Sequence, residues 1–396
     1  MKIYIIGTGV DGAKTLTREA AEAIESADVL IGARRMLEPF AALEKPVFEE
    51  YRSTEIRRYL MEKSYETAAV LMSGDCGFFS GARKLSESLA GHETEMICGI
   101  SSPVYFLSKL GKDWSDCFFV SLHGKSANAA RAVSSHKKTF FLLGGDMTAG
   151  ELCRRLCEYG MGEVTVHIGA DLGYSSEKII SGSAEEFTEA DISPLSVLLA
   201  ENPEYERALL SGIPDEKFIR GNVPMTKSEV RAVAVAGLDI GETDVCWDIG
   251  GGTGSVSVEM AIRCGSGRVY SVEKNTEAVS LIAENRRRFR CDNIEIVEGE
   301  ASEAVRELPP PDCVFIGGSG GKLRDIVKAA AEKNSNIRLT VTAVSIETLA
   351  EATTVFDEIG FEAEISQIAV TRTRKIGNHT MMSAENPVFI IKRKLK

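Results

Sequence analysis

Short apolar runs alternate with amphipathic stretches along almost the whole chain. In the first half the runs are IYIIG, DVLIG, TAAVLMSG, EMICG, TFFLLGG, VTVHIGA and LSVLLA. Their length and β-branched content suit buried strands. Between them lie stretches such as LTREAAEAIESA and TAGELCRRLCEYG, whose apolar residues recur at helical spacing. The rhythm predicts α/β units around a largely parallel sheet. In the second half DVCWDIG, RVYSVEK, NIEIVEG, DCVFIGG and IRLTVTAV are five more strands, each followed by a helical run. EAEISQIAVTRT and PVFIIKRK follow with no crossover helix between them, which predicts an antiparallel hairpin at the sheet edge. Five parallel strands and that hairpin make a seven-stranded sheet.

The rhythm breaks once, at ENPEYERALLSGIPDEKFIRGNVPMTK, a proline-bearing and charged stretch. This predicts domains at 1–203 and 217–396 joined by a linker at 204–216. The halves do not align as a repeat, so fusion is expected rather than duplication.

Composition narrows the classes. A chain of 396 residues, 44% hydrophobic and 26% charged, has room for two or three ordinary globular domains. No apolar run reaches membrane-span length and the N-terminus lacks a secretory pattern, so the expected location is cytoplasmic. A net charge of −12 argues against a protein that grips nucleic acid along its backbone. The basic run NRRRFR at 285–290 reads as a solvated helix face. The nine cysteines are odd in number and lack a CxxC pair, which suits reduced thiols. Cys153 and Cys157 share a helix face, but no second pair follows and the five histidines are scattered, so no metal is predicted.

Two glycine-rich strand–turn–helix units carry the candidate chemistry: IIGTGVDGAKTLT near the start and WDIGGGTGSVSVEMA from 247. In the second, glycines after a first strand let backbone approach a ligand, and the helix N-terminus offers free N–H groups. Such a loop fits a dinucleotide or S-adenosylmethionine (SAM). Glu273 ends the next strand about 20 residues on, placed to accept from ribose hydroxyls. The DxGxGxG order, with Gly299, Glu300 and Ala301 after the third strand, favours SAM.

Residues 213–396 resemble the precorrin C15-methyltransferase (decarboxylating) family, CbiT. The resemblance is carried by GIPDEKFIRGNVPMTKSEVRAVAVAGL, WDIGGGTGSVSVEMA, VEGEASEAV, PDCVFIGGSGG and TAVSIETL. It implies a Rossmann-like class I fold with SAM against Thr226, Gly250, Gly251, Gly252, Thr253, Gly254, Glu273 and Ala301. Gly317 and Gly318 in IGGSGG would face the substrate. Residues 1–201 are similar to tetrapyrrole methylases, and to the precorrin C5-methyltransferases (CbiE) among them. The carrying segments are the first glycine loop, ADVLIGARRML, LMSGDCGFFSGARKL, ICGISSPVYFLSKLGKDWSDCFFVSLHGK and GYSSEKIISGSAEEF. This implies a different, class III fold: two α/β subdomains with SAM in the cleft between them. SAM would meet Gly74, Asp75, Ser101, Ser102, Leu143 and Ile168, while Gly7 and Gly9 would face the tetrapyrrole. His123 and Lys125 would bind a substrate carboxylate, with a structural role as the other reading of His123.

Together the halves resemble the CbiE–CbiT fusion family. The resemblance implies SAM-dependent methylation of a precorrin or cobalt-precorrin at C5 and C15, with decarboxylation of the C12 acetate, in cobalamin synthesis. It also implies a homo-oligomer. No acid, base or nucleophile is assigned. The rival readings are an RNA or protein methyltransferase, a SAM-binding module, and a single-activity enzyme with one non-catalytic domain.

Overall fold

The computed structural model describes residues 1–396 except 13, 125–126, 207–210 and 395–396. The chain divides into two compact units. One comprises 1–123, 138–151 and 165–201; the other comprises 124–137, 152–164 and 202–396. The division differs from a cut at 204–216 over two segments of the first half. Within the second unit Asn128 holds one of them, donating from its N–H to the Gly265 carbonyl (2.7 Å) and accepting from Asp292 N–H (3.1 Å).

The first unit contains two five-stranded sheets. β1 (Lys2–Gly7), β2 (Val29–Gly32), β3 (Val47–Glu49), β4 (Thr67–Met72) and β5 (Glu93–Ile97) form the first, all parallel, in the order β3-β2-β4-β1-β5. Its two faces are covered by separate apolar clusters around Ile3, Ile5 and Val70, and around Ile6, Leu30 and Leu71. Burial on both faces explains why these strands read as continuous apolar runs.

β6 (Cys117–Ser121), β7 (Lys138–Leu142), β8 (Thr165–Ala170), β9 (Lys178–Ser183) and β10 (Ser196–Glu201) form the second sheet, in the order β6-β7-β10-β8-β9. Only β6 and β7 pair in parallel. The expectation of a largely parallel sheet therefore fails here. No crossover helix separates β8, β9 and β10, so the chain returns beside itself and pairs antiparallel. The apolar pattern also passed over β3, β6 and β9. All three are edge strands in which Val120 alone is buried, which weakens the signal.

The second unit is built on β11 (Val245–Ile249), β12 (Arg268–Glu273), β13 (Ile294–Glu298), β14 (Cys313–Ile316), β15 (Arg338–Ala343), β16 (Ala363–Ile368), β17 (Thr371–Ile376), β18 (His379–Ala384) and β19 (Val388–Arg393). Seven of these form one sheet, β13-β12-β11-β14-β15-β19-β16. The first five are parallel, and β19 runs antiparallel between β15 and β16. EAEISQIAVTRT is not one strand: it ends β16 and begins β17. β17 and β18 form a separate two-stranded hairpin, exposed along its length. Its Gly377–Asn378 turn, with Gly377 at φ +59°, is a two-residue hairpin signal the strand reading overlooked.

Helices cover both faces of the large sheet. Trp247, Val314 and Leu339 anchor one core, and Cys246, Val269 and Phe315 the other. Strand order reverses beside β11, with β12 on one side and β14 on the other. The crevice at their C-terminal ends is where an open α/β sheet takes a ligand.

Candidate functional site

The glycine loop leaves β11 at that crevice. Gly252 sits at φ +56°, and a Cβ there would lie 2.9 Å from the Pro224 carbonyl oxygen. Only glycine fits both the conformation and the approach. Glu273, at the end of β12, accepts from Gly252 N–H through Oε2 (2.9 Å). Its Oε1 accepts from Lys274 N–H (2.8 Å) and Asn275 N–H (3.0 Å). The acid is thus held by backbone beside the loop.

These residues line a cavity of about 980 Å³. Of the residues read from the sequence, it brings together Thr226, Gly250, Gly251, Gly252, Thr253, Glu273, Ala301, Gly317 and Gly318. Gly254 lies outside the lining. It precedes the helix Ser255–Arg263 at φ +76°, and a Cβ there would meet Ile282 Cα at 3.2 Å. Thr253 is buried, and its hydroxyl has no hydrogen-bond partner among the described residues. A glycine cradle, an acid at the ribose position and an orphaned hydroxyl in one wall fit an adenosyl cofactor.

Below the loop, Asp248 is fully buried. Desolvation pushes its carboxyl up to about 6, against hydrogen bonds from Ser257. Ser257 Oγ donates to Asp248, and its contact with Ser271 Oγ (2.8 Å) extends the polar chain under Gly251. At the cavity wall, Lys274 Nζ pairs with Glu300 Oε1 at 2.8 Å. Glu300, read from the sequence beside Ala301, also lines the cavity, as do Lys227, Lys274, Thr342 and Asn386, which were missed from the sequence. Lys227 closes the PMTK element beside Thr226 and Lys274 follows Glu273, which was the available signal for both; Thr342 and Asn386 had none.

A second cavity, of about 430 Å³, lies in the first unit. It brings together Gly74, Asp75, Ser102, His123 and Leu143. Asp75 accepts from Gly77 N–H (2.8 Å) and Gly99 N–H (3.1 Å). His123 packs so closely on Gly144 that a Cβ there would fall 1.9 Å from Nδ1. Glu50 shares this wall, and hydrogen bonds from Arg52 hold its carboxyl down at about 2.

Ser101, Ile168, Gly7 and Gly9 do not line it. Ser101 caps the helix Ser102–Lys109 and is buried. Ile168 is buried within β8, and its neighbour Gly169 reaches the wall. Gly9 exchanges backbone hydrogen bonds with Gly74 (3.0 and 2.9 Å), and a Cβ on Gly7 would lie 2.7 Å from the Gly74 carbonyl. Both glycines therefore support the turn that carries Gly74. Lys125 lies outside the described residues. Ser196 was missed: it lines the cavity, is buried, and its hydroxyl lacks a partner among the described residues. No sequence pattern marks it.

Two family models match the chain. Residues 2–188 match the tetrapyrrole (corrin/porphyrin) methylases, and residues 217–394 match the precorrin methyltransferase domain. A probable cobalt-precorrin-6B C(15)-methyltransferase (decarboxylating) from Pyrobaculum calidifontis is 44% identical over 183 residues, covering 46% of this chain and 94% of that protein. A precorrin-6Y C(5,15)-methyltransferase [decarboxylating] from Sinorhizobium is 29% identical over 98% of this chain and 94% of its own length. The chain belongs to the decarboxylating precorrin-6Y C5,15-methyltransferase family. A solved precorrin-6Y C5,15-methyltransferase structure from Geobacter metallireducens is 35% identical, covering 47% of this chain and 97% of that one, with a TM-score of 0.45. In this C5,15-methyltransferase family member the large cavity falls wholly inside the precorrin methyltransferase match. The smaller one extends beyond the tetrapyrrole methylase match, to Leu195, Ser196 and Val197.

Proposed function

We propose that this chain methylates a precorrin or cobalt-precorrin at C5 and C15 and releases the C12 acetate carboxyl as carbon dioxide, in cobalamin synthesis. The observation that carries the reading is a pair of separate cavities, one in each unit, each built around residues of its own family match. Residues 217–396 are assigned the C15 methylation and decarboxylation, and residues 1–203 the C5 methylation.

SAM supplies an electrophilic methyl on a sulfonium, so neither site needs a metal or a nucleophilic triad. The protein's task is positioning and exclusion of water. In the larger site Gly250 to Thr253 would cradle the cofactor, Glu273 would accept from the ribose, and Ala301 would border the adenine. Val223, Met225 and Phe315 supply apolar wall, and Gly317 and Gly318 leave room for the macrocycle. In the smaller site Gly74, Asp75, Ser102 and Leu143 would hold SAM, and His123 would face substrate. Val10, Phe78, Leu172 and Val197 keep that wall dry.

The protein is assigned to the cytoplasm, where its nine cysteines would stay reduced. No described helix is long and apolar enough to cross a membrane. A homo-oligomer is also proposed, because Ile376 and Met381 are exposed on one face of the β17–β18 hairpin and Met382 on the other. Sedimentation at micromolar concentration tests it; a 42.9 kDa species alone would refute it.

Titration of the full chain with SAM tests the reading as a whole. Two sites per chain are expected, and one or none overturns the bifunctional assignment. Parallel incubation with precorrin-6B and cobalt-precorrin-6B, followed by mass, then identifies the substrate form.

A further inference from the structure

Residues 212–227 form a roof segment, of which 222–227 line the larger cavity, with almost no regular structure beyond a single 3₁₀ turn at Asp215–Lys217. Their backbone groups must find partners elsewhere. Three buried side chains that do not line the cavity, Arg231, Glu259 and Asn285, provide several of them.

Arg231, in the helix Ser228–Ala236, is fully buried. Its Nε donates to Oε1 of Glu259 (2.7 Å), which is also fully buried. Nη1 donates to the Thr226 carbonyl (2.5 Å) and to Asp215 Oδ1 (3.3 Å), and Nη2 donates to the Ile213 carbonyl. Glu259 in turn accepts from Ile213 N–H (3.0 Å) and Gly212 N–H (3.1 Å). One ion pair thus gathers both ends of the roof. Asn285 holds the middle. It accepts from Ile219 N–H (2.8 Å) and donates to the Ile219 carbonyl (2.9 Å) and to the Thr253 carbonyl of the glycine loop (2.8 Å).

We infer that Arg231 and Asn285 are positioning residues, which set the spacing between the roof and the glycine loop and through it the affinity of the larger site for SAM. Stability alone does not call for this arrangement, since a buried ion pair is often matched by apolar residues of similar volume. What the guanidinium fork adds is one backbone path, fixed at several points at once. The path has no slack, because the missing Cβ of Gly252 would fall 2.9 Å from Pro224 O.

The inference rests on the reading of this cavity as a cofactor site. It is tested in the full-length chain with Arg231→Lys, which keeps the charge opposite Glu259 but loses the fork. Asn285→Ser acts at the second anchor and carries the test if the first variant does not fold. Amide hydrogen exchange at 212–219, where Gly212, Ile213 and Ile219 N–H are held, should quicken and SAM should bind the larger site more weakly, each roughly tenfold for one hydrogen bond lost. The smaller site should keep its affinity. A lowered Tm with exchange and affinity unchanged would make these residues merely structural and overturn the inference. Exchange needs no ligand, so a wild-type chain that binds no SAM sinks the cofactor reading, while unchanged exchange at 212–219 sinks the positioning role on its own.

Discussion

At the scale of single residues, the larger site depends on groups whose partners are now known. Glu273 accepts three backbone N–H groups. Glu273→Ala should therefore loosen the loop as well as remove the ribose acceptor, at a cost of about 1.5–3 kcal/mol in SAM binding. Calorimetry on the full chain checks this, and unchanged affinity at the larger site would remove Glu273 from it. Asp248 makes a pH prediction. Burial raises its folded pKa from 3.8 to about 6, so the native state holds the proton more tightly than the unfolded chain between those values. The burial penalty is absent below the lower value, grows as pH rises through it, and is complete above the upper one. Wild type should gain stability relative to Asp248→Asn as pH falls from 7 to 4, by up to about 1.4 kcal/mol for each pH unit. A stability difference between the two proteins that stays flat with pH would show that Asp248 does not titrate as argued. That Asp248 and Glu273 end neighbouring strands was legible in the chain; that one is sealed and the other bound by three amides was not.

At the scale of elements, the glycines of one loop divide by task. Gly252 meets the roof and lines the cavity, whereas Gly254 lets the helix Ser255–Arg263 pack on Ile282. Gly254→Ala must adopt φ near +76° and crowd Ile282 Cα. It should lower stability by about 1–3 kcal/mol, read as a reduced denaturation midpoint. An unchanged midpoint would mean the helix start relaxes. The repeating GxGxG pattern conceals this division, because sequence spacing does not say which face of a turn meets ligand and which meets helix. The β17–β18 hairpin was hidden for a related reason. Its residues alternate in no consistent way because both faces are exposed, leaving the Gly377–Asn378 turn as its one local mark. The Arg372 pairs with Glu229 and Glu385 are exposed, so they add little to its stability.

At the scale of the whole molecule, two cavities in two units predict two separable activities. Gly252→Val drives a side chain against Pro224 O and should abolish C15 methylation and carbon dioxide release together. Asp75→Ala removes the acceptor for Gly77 and Gly99 and should stop C5 methylation alone. Product mass separates the cases: two methyl groups gained and one carbon dioxide lost for wild type, one methyl and the same loss for the Asp75 variant. An Asp75 variant that keeps the acetate would show that decarboxylation needs both units. Two α/β units, their glycine turns and the acid that ends β12 were determined by the sequence itself. Each is a local matter of period, turn chemistry and short spacing, and local patterns survive in a linear string. Tertiary structure alone decided the mixed second sheet, the retreat of Gly7, Gly9 and Gly254 from the cavities, and the orphaned hydroxyls of Thr253 and Ser196. It alone joined Asn285 to Ile219 and Arg231 to Glu259. Those outcomes depend on which distant backbone groups meet, and hydrogen bonds between residues far apart in the chain leave no periodicity to read.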